Sequence, residues 1–153
     1  MKITIDLPVT SYLQKYLTVK FGTLYQARES DWFGLLIINI LSPKNEREYE
    51  FKKIKSDSFY TVTIGISKAE KCGFLISKSK GEQLAKAVEN YFRSELFSSA
   101  ILNARNFDVD YKTTIINTLE SFGITEEELH YESIRKDFNR NKKNIEDNLD
   151  QII

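Results

Sequence analysis

The stretch KITIDLP, residues 2–8, decides how the N-terminal part of the chain folds. Apolar and polar residues alternate in it, which is the period of a half-buried strand. The apolar face carries Ile3, Ile5 and Leu7, and the polar face carries Lys2, Thr4 and Asp6. We expect Pro8 to end this strand because proline cannot donate to a sheet.

Two helices are predicted to follow the first strand. Residues 9–21 place apolar side chains on one stripe and are followed by Gly22, a residue typical of a helix end. Ser30 is the expected N-cap of the second helix. That helix, residues 32–41, is so apolar that it should be buried nearly all round until Pro43 stops it.

The middle of the chain has strand patterns. Residues 48–55 and 58–67 both alternate, and a turn at Ser56 and Asp57 would join them as a hairpin. Residues 74–76 are a candidate for a third short strand. The sequence therefore predicts an antiparallel hairpin or small sheet at the centre.

The remainder of the chain is predicted to be helical. Ser79 and Glu82 have capping-box spacing before a long helix that reaches about Asn103, and Asp110 is placed to cap a second helix that ends at Gly123. A second capping box, Thr125 with Glu128, is expected to begin a third helix. Its apolar positions follow a heptad rhythm: Tyr131, Ile134, Phe138, Ile145 and Ile152. The predicted fold class is α+β, with a strand-helix-helix and hairpin module over residues 1–76 and a helical module over residues 77–153.

Composition excludes several classes of protein. Lys plus Arg and Asp plus Glu both number 22 among the 153 residues, so no overall basic field indicates a nucleic-acid partner. The single cysteine, Cys72, cannot form an internal disulfide and favours a reducing compartment, the cytoplasm. The longest apolar run is about half of the roughly 20 residues that cross a bilayer, and the N-terminus has no signal-peptide pattern.

The N-terminal order of strand, proline, helix, glycine and capped helix resembles the ribbon-helix-helix family of DNA-binding proteins over about 40 residues. This resemblance implies that the strand pairs with its copy in a homodimer and that its outward Lys2 and Thr4 read bases. Asp6 departs from this scheme because a carboxylate repels the phosphate backbone. The alternative is a strand in a larger sheet of the same chain.

Two features of the C-terminal part also concern DNA. Residues 113–141 have the form of a helix-turn-helix, but the expected recognition helix begins with three carboxylates, Glu126, Glu127 and Glu128. The runs Gly123 to Glu126 and Arg135 to Arg140 resemble uncharacterised small proteins borne by bacterial phages and transposons. A local basic cluster is a candidate phosphate clamp, and a solvated helix face is its alternative: Arg135, Lys136, Arg140, Lys142 and Lys143.

An enzyme is not expected. Glu50 and Lys52 have the spacing of a restriction-type nuclease core, but the available metal-binding acid, Asp31, begins an apolar helix. His130 lacks a second histidine with which to form a di-iron site. We expect no catalytic residue, cofactor, metal or small-molecule substrate.

The sequence favours a DNA-binding accessory or regulatory protein of a mobile genetic element, acting as a homodimer. The alternative is a protein-protein interaction adaptor that binds no nucleic acid. The neutral total charge and the acidic last helices favour this alternative.

Overall fold

The computed structural model describes residues 1–41 and 58–152. Pro43, the predicted strand 48–55 with Glu50 and Lys52, and the predicted turn at Ser56 and Asp57 lie outside the described residues. The elements are β1 (Lys2–Val9), α1 (Ser11–Phe21), β2 (Tyr25–Gln26), α2 (Trp32–Ile40), β3 (Ser58–Gly65), α3 (Ile66–Cys72), α4 (Lys78–Phe107), α5 (Tyr111–Ser121) and α6 (Tyr131–Asp150).

This architecture confirms the α+β class, with a small sheet near the N-terminus and a helical C-terminal region. Two compact units divide the chain, Met1–Glu89 and Asn90–Ile153. The division falls within α4, whereas the sequence placed a boundary after residue 76. Across residues 1–41 and 58–152, no helix is both long and apolar enough to span a membrane.

The sheet of the first unit has the order β1-β3-β2. β1 runs antiparallel to β3 from Lys2 opposite Gly65 to Val9 opposite Ser58. β2 is parallel to β3 and pairs with it at Val62 and Thr63. β1 therefore pairs with a strand of its own chain and, among the strands of residues 1–41 and 58–152, lies at the edge of the sheet.

Pro8 lies inside β1 rather than ending it, which corrects the sequence-based expectation. The Ile66 amide donates to the Met1 carbonyl, which makes these two residues a hydrogen-bonded pair. By alternation, odd-numbered residues of β1 bond to β3, and the backbone N–H groups of Lys2, Thr4 and Asp6 face away from it. Pro8 belongs to this second set, so its missing N–H costs no bond to β3.

An aromatic cluster fills the core of the first unit. Its members are Phe21, Tyr25, Trp32, Phe33 and Tyr60. Six pairs of these rings have centroids 4.9–5.9 Å apart. Phe33 of α2 is fully buried and meets Tyr60 of β3 at 5.9 Å. The cluster thus joins α1 and α2 to the apolar face of the sheet.

The N-cap of α2 is Asp31, not Ser30 as the sequence suggested. Asp31 Oδ1 accepts a hydrogen bond from the Gly34 amide at 2.8 Å and another from the Tyr25 hydroxyl at 2.6 Å. Gly34 is required here because a Cβ at that position would lie 1.9 Å from the Arg28 carbonyl oxygen. This close approach holds the loop before α2 against the helix.

Three other predicted boundaries in the first unit are wrong. Ile66 and Ser67 begin α3 instead of extending β3. Residues 74–76 form no strand, and Leu75 makes only an isolated bridge. The hydroxyl oxygen of Ser77, rather than Ser79, accepts the Lys80 amide at the start of α4, which continues to Phe107.

The second unit contains the later part of α4 with α5 and α6. Asp110 caps α5 as predicted, since its Oδ1 accepts the Thr113 amide at 2.9 Å. At the other end, Ile124 N–H donates to the Leu119 carbonyl and Gly123 N–H to the Glu120 carbonyl, both at 2.9 Å. This is a Schellman closure, and Gly123 supplies its positive φ of 72°.

The capping box of Thr125 and Glu128 forms, but it does not begin a helix. Thr125 N–H donates to Glu128 Oε1 at 3.2 Å, and Glu128 N–H donates to Thr125 Oγ1 at 3.4 Å. These bonds close a turn, and α6 starts later, at Tyr131. Ile134 and Phe138 are buried as the heptad pattern predicts, whereas Ile152 is 83% exposed.

Candidate nucleic-acid interface

The predicted phosphate-binding residues lie on α6, and the packing of that helix determines where they point. The ring of Phe138 packs against two other rings. Its centroid lies 5.4 Å from that of Phe97 and 5.1 Å from that of Tyr111. Ile134, one turn earlier, is fully buried. These two side chains fix one face of α6 against the rest of the second unit, so the charged residues occupy the remaining faces.

Two of the five bases are neutralised within the helix. Arg135 donates two hydrogen bonds to the Glu132 carboxylate, one of them from Nε at 3.0 Å. This pairing lowers the pKa of Glu132 and raises the pKa of Arg135. Lys142 Nζ lies 3.8 Å from Glu146 Oε1 and 4.6 Å from the centroid of the Tyr111 ring. Neither base is left open for a phosphate.

The other three bases form a basic stripe, which we define as Lys136, Arg140 and Lys143. All three are exposed, and none makes an ion pair within the described part of the chain. Their spacing of i, i+4 and i+7 places them on one face of α6. The stripe extends over about 10 Å at a rise of 1.5 Å per residue.

The carboxylates near the stripe are mostly engaged elsewhere. Asp137 pairs with Arg93 of α4 at 3.1 Å, and Asp150 pairs with Arg105 at 3.0 Å. Asp147 is exposed one turn beyond Lys143, and no ion pair joins these two residues in the described structure. The stripe therefore carries three positive charges between Glu132, which interacts electrostatically with Lys136, and Asp147.

Lys2 and Thr4, the predicted base readers, lie on the open face of the sheet in the first unit. Both are exposed, and Thr4 stands opposite Thr63. Asp6 on the same face accepts a hydrogen bond from the Thr61 hydroxyl at 2.7 Å. This face carries hydroxyl groups and balanced charge, so the concentrated positive charge among the predicted residues is that of α6.

The structure differs from the predicted helix-turn-helix in where the last helix begins. Glu126, Glu127 and Glu128 belong to the turn before α6 and not to the first turn of a recognition helix. Glu126 instead accepts a hydrogen bond from the Tyr131 amide, at 3.1 Å to Oε2. The residues at the start of α6 are Tyr131 and Glu132, neither of which adds positive charge for a phosphate.

The residues weighed for catalysis have structural partners where they are described. Asp31 caps α2 and accepts the Tyr25 hydroxyl. His130 is exposed, with Nδ1 3.5 Å from Glu126 Oε1. Within residues 1–41 and 58–152, no group of three or more His, Cys, Asp or Glu residues is arranged to hold a metal ion.

The separation of the five bases into a paired set and a free set is the main finding that the sequence reading missed. The signal was present, because Glu132 stands three residues before Arg135 and Glu146 four residues after Lys142.

Compared with known proteins, the chain matches no family model, no curated protein and no solved structure.

Proposed function

We propose that this chain is a non-catalytic DNA-binding protein that contacts the phosphate backbone through the basic stripe of α6. The observation that carries the proposal is the alignment of Lys136, Arg140 and Lys143 on one exposed helix face, with no ion pair to any residue of 1–41 or 58–152. The C-terminal resemblance adds the setting, an accessory or regulatory protein of a mobile element.

Phosphate contacts give affinity without reading sequence. Each contact adds about −0.9 to the slope of log K against log salt concentration. Three contacts from a single chain predict that affinity for duplex DNA falls roughly 40-fold between 50 and 200 mM salt, and six contacts from a dimer predict a fall of roughly 1,800-fold. The stripe alone supports general affinity for duplex, and Lys2 and Thr4 remain the proposed base-reading residues.

A homodimer is part of the same proposal. In the described part of the chain β1 has a strand on one side only, and the N–H groups of Lys2, Thr4 and Asp6 face away from β3. An antiparallel copy of β1 along this edge would place both open faces side by side and double the number of phosphate contacts. Sedimentation equilibrium at micromolar concentration tests the assembly separately from DNA binding, and a monomer there removes this part of the proposal.

The decisive experiment compares two double variants of α6 that remove equal charge. Fluorescence anisotropy with a labelled 20-base-pair duplex would measure affinity from 50 to 200 mM salt. The variant K136Q/K143Q removes two bases of the stripe and should reduce the magnitude of the salt slope by about 1.8 for each bound chain. The control R135Q/K142Q removes two bases that are already paired and should change the slope by less than half as much.

Two results would overturn the proposal. One is a wild-type protein that does not bind the duplex even at 50 mM salt. The other is an equal loss of affinity in both double variants, because the effect would then follow net charge rather than the stripe. Circular dichroism of each variant verifies that α6 is intact.

The second candidate function is a protein-interaction adaptor. Residues 90–153 carry eight bases and twelve acids, an excess of negative charge that disfavours DNA over most of this unit's surface. An adaptor predicts partner binding that is insensitive to the K136Q/K143Q change, so the same variants separate the two functions.

A further inference from the structure

A small cavity opens on the second unit between the end of α5 and the turn that precedes α6. Its volume is about 150 Å³. Leu119, Ile124 and Leu129 form its apolar lining, each buried but with 6–7% of its surface still exposed. Tyr131 adds an aromatic wall. The cavity has an apolar floor and is open to solvent at its polar rim, and its volume is comparable to that of a closed cavity that holds one benzene ring, so one large side chain matches it in size.

The backbone fixes this cavity. The Schellman closure at Gly123 folds Ile124 back towards Leu119, and the turn of Thr125 and Glu128 then directs Leu129 to the same side. The cavity is thus built from a hydrogen-bonded turn. Preformed sites bind with a smaller ordering cost than sites that must assemble.

The rim of the cavity is acidic. Glu120 and Glu126 both line it. Glu120 lies in the last turn of α5, where the negative end of the helix dipole favours a cation, and that turn contains no base. Glu126 accepts the Tyr131 amide, yet a carboxylate has further lone pairs for a second donor.

A cation already approaches the aromatic wall from within the chain. Lys112 Nζ lies 5.6 Å from the centroid of the Tyr131 ring. This contact is within the range of a cation–π interaction. An apolar cavity, a negatively charged rim and a ring that attracts ammonium groups together select for an apolar side chain with a positive charge next to it.

We propose that this cavity is a docking site for one large apolar side chain carried by a basic peptide segment of a partner protein. The apolar residue would fill the space over Leu119, Ile124 and Leu129. A flanking Lys or Arg would meet the carboxylates of Glu120 and Glu126. The site is independent of the basic stripe, which takes the opposite charge.

Three short peptides test the proposal on the full chain by amide chemical-shift titration. Acetyl-Lys-Phe-Lys-amide should shift the amides of Gly123 to Tyr131 and saturate with a dissociation constant in the millimolar range. Acetyl-Glu-Phe-Glu-amide tests the charge requirement, and acetyl-Lys-Ala-Lys-amide tests the apolar one. Each should bind at least about 5-fold more weakly, because it lacks one of the two matched features.

A matched pair of variants assigns the binding to the rim. E120Q removes a carboxylate that lines the cavity and should weaken the Lys-Phe-Lys peptide by about 3-fold, the scale of an exposed ion pair. E127Q removes an exposed carboxylate of the same turn that does not line the cavity, and it should leave the affinity within about 1.5-fold.

Equal binding of the three peptides, or equal effects of E120Q and E127Q, would overturn the docking site. Shifts confined to residues outside 112–131 would do the same. The variant K136Q/K143Q should bind the peptide as the wild type does while losing DNA affinity. Failure of the docking site is therefore distinguishable from failure of DNA binding.

Discussion

The two units of this chain use their residues differently. The first, Met1–Glu89, closes an aromatic cluster around a sheet and brings backbone into direct contact at Gly34. The second, Asn90–Ile153, packs helices through side chains such as Ile134 and Phe138 and carries its charges on the outside. The first unit is constrained by shape, whereas the second presents groups that are free to bind.

This difference predicts where substitutions act. Changes in the core of the first unit should lower the free energy of unfolding, because interiors packed at crystal-like density tolerate little added volume. Changes on the surface of the second unit should alter binding and leave stability nearly intact. Three measurements test this difference between the two units.

The largest effect is expected for G34A in the first unit. Its Cβ would lie 1.9 Å from the Arg28 carbonyl oxygen and 2.6 Å from the Arg28 amide nitrogen, and backbone cannot easily give way. We expect a loss of about 3 kcal/mol in the free energy of unfolding, measured by urea denaturation. The matched variant G123A in the second unit meets no atom within 4 Å and strains only a φ of 72°. It should cost about 1 kcal/mol, and equal losses would contradict the contrast.

An intermediate effect is expected when the two capping aspartates are replaced. D31A removes the acceptor of both the Gly34 amide and the buried Tyr25 hydroxyl, and should cost about 2 kcal/mol. D110A removes the acceptor of the Thr113 amide at the exposed start of α5. Its unfolding midpoint should shift less than that of D31A. A larger shift for D110A would show that the buried hydroxyl contributes little.

The smallest effect appears only at alkaline pH. Burial raises the pKa of Tyr60 to about 12, and burial together with the hydrogen bond to Asp31 raises the pKa of Tyr25 still further. A raised pKa means that the folded chain holds the proton more tightly. The free energy of unfolding should therefore be constant up to about pH 10 and fall as the pH rises towards 12.

Absorbance at 295 nm measures this ionisation directly. Tyr25, Tyr60 and Tyr131, whose pKa values are raised by burial, should titrate later in the folded protein than in urea. The variant Y60F should remove part of the fall in stability above pH 10. If Tyr25 and Tyr60 ionise near pH 10 while the chain is still folded, the burial argument is wrong.

Periodicity predicted most of the elements. The alternation in residues 2–7 and 58–64, the apolar run at 32–40 and the cap at Asp110 all correspond to observed strands and helices. These signals are local, since each depends on the side chains within one element. The α+β class followed from their order along the chain.

The predicted ends and caps of elements were wrong where a contact with a distant residue decides the structure. Pro8 continues a strand because its nitrogen lies on the side of β1 that faces away from β3, and no residue near Pro8 indicates this. Asp31 replaces Ser30 as the cap because the Tyr25 hydroxyl and the Gly34 amide both bond to it. The antiparallel pairing of β1 with β3 joins residues more than 45 positions apart, and periodicity does not select such partners.

The sequence predicted where the basic residues of the candidate site lie but not which of them are paired with carboxylates. The basic run on the last helix was visible in the sequence, and two of its five residues, Arg135 and Lys142, pair with carboxylates of the same helix. The cavity near Tyr131 had no sequence signal, because its lining comes from the end of one helix, a turn and the start of another. Such a concavity arises from chain reversal at Gly123 and not from any repeated pattern.

Pro8 has a consequence for how the chain behaves at high concentration. Edge strands template the growth of aggregates, and proteins guard them with proline and charged side chains. A foreign strand laid along β1 would find no donor at Pro8 and would meet Lys2 and Asp6 on its exposed flank. The same residues that permit a register-specific pairing thus restrain the indiscriminate stacking that leads to fibrils.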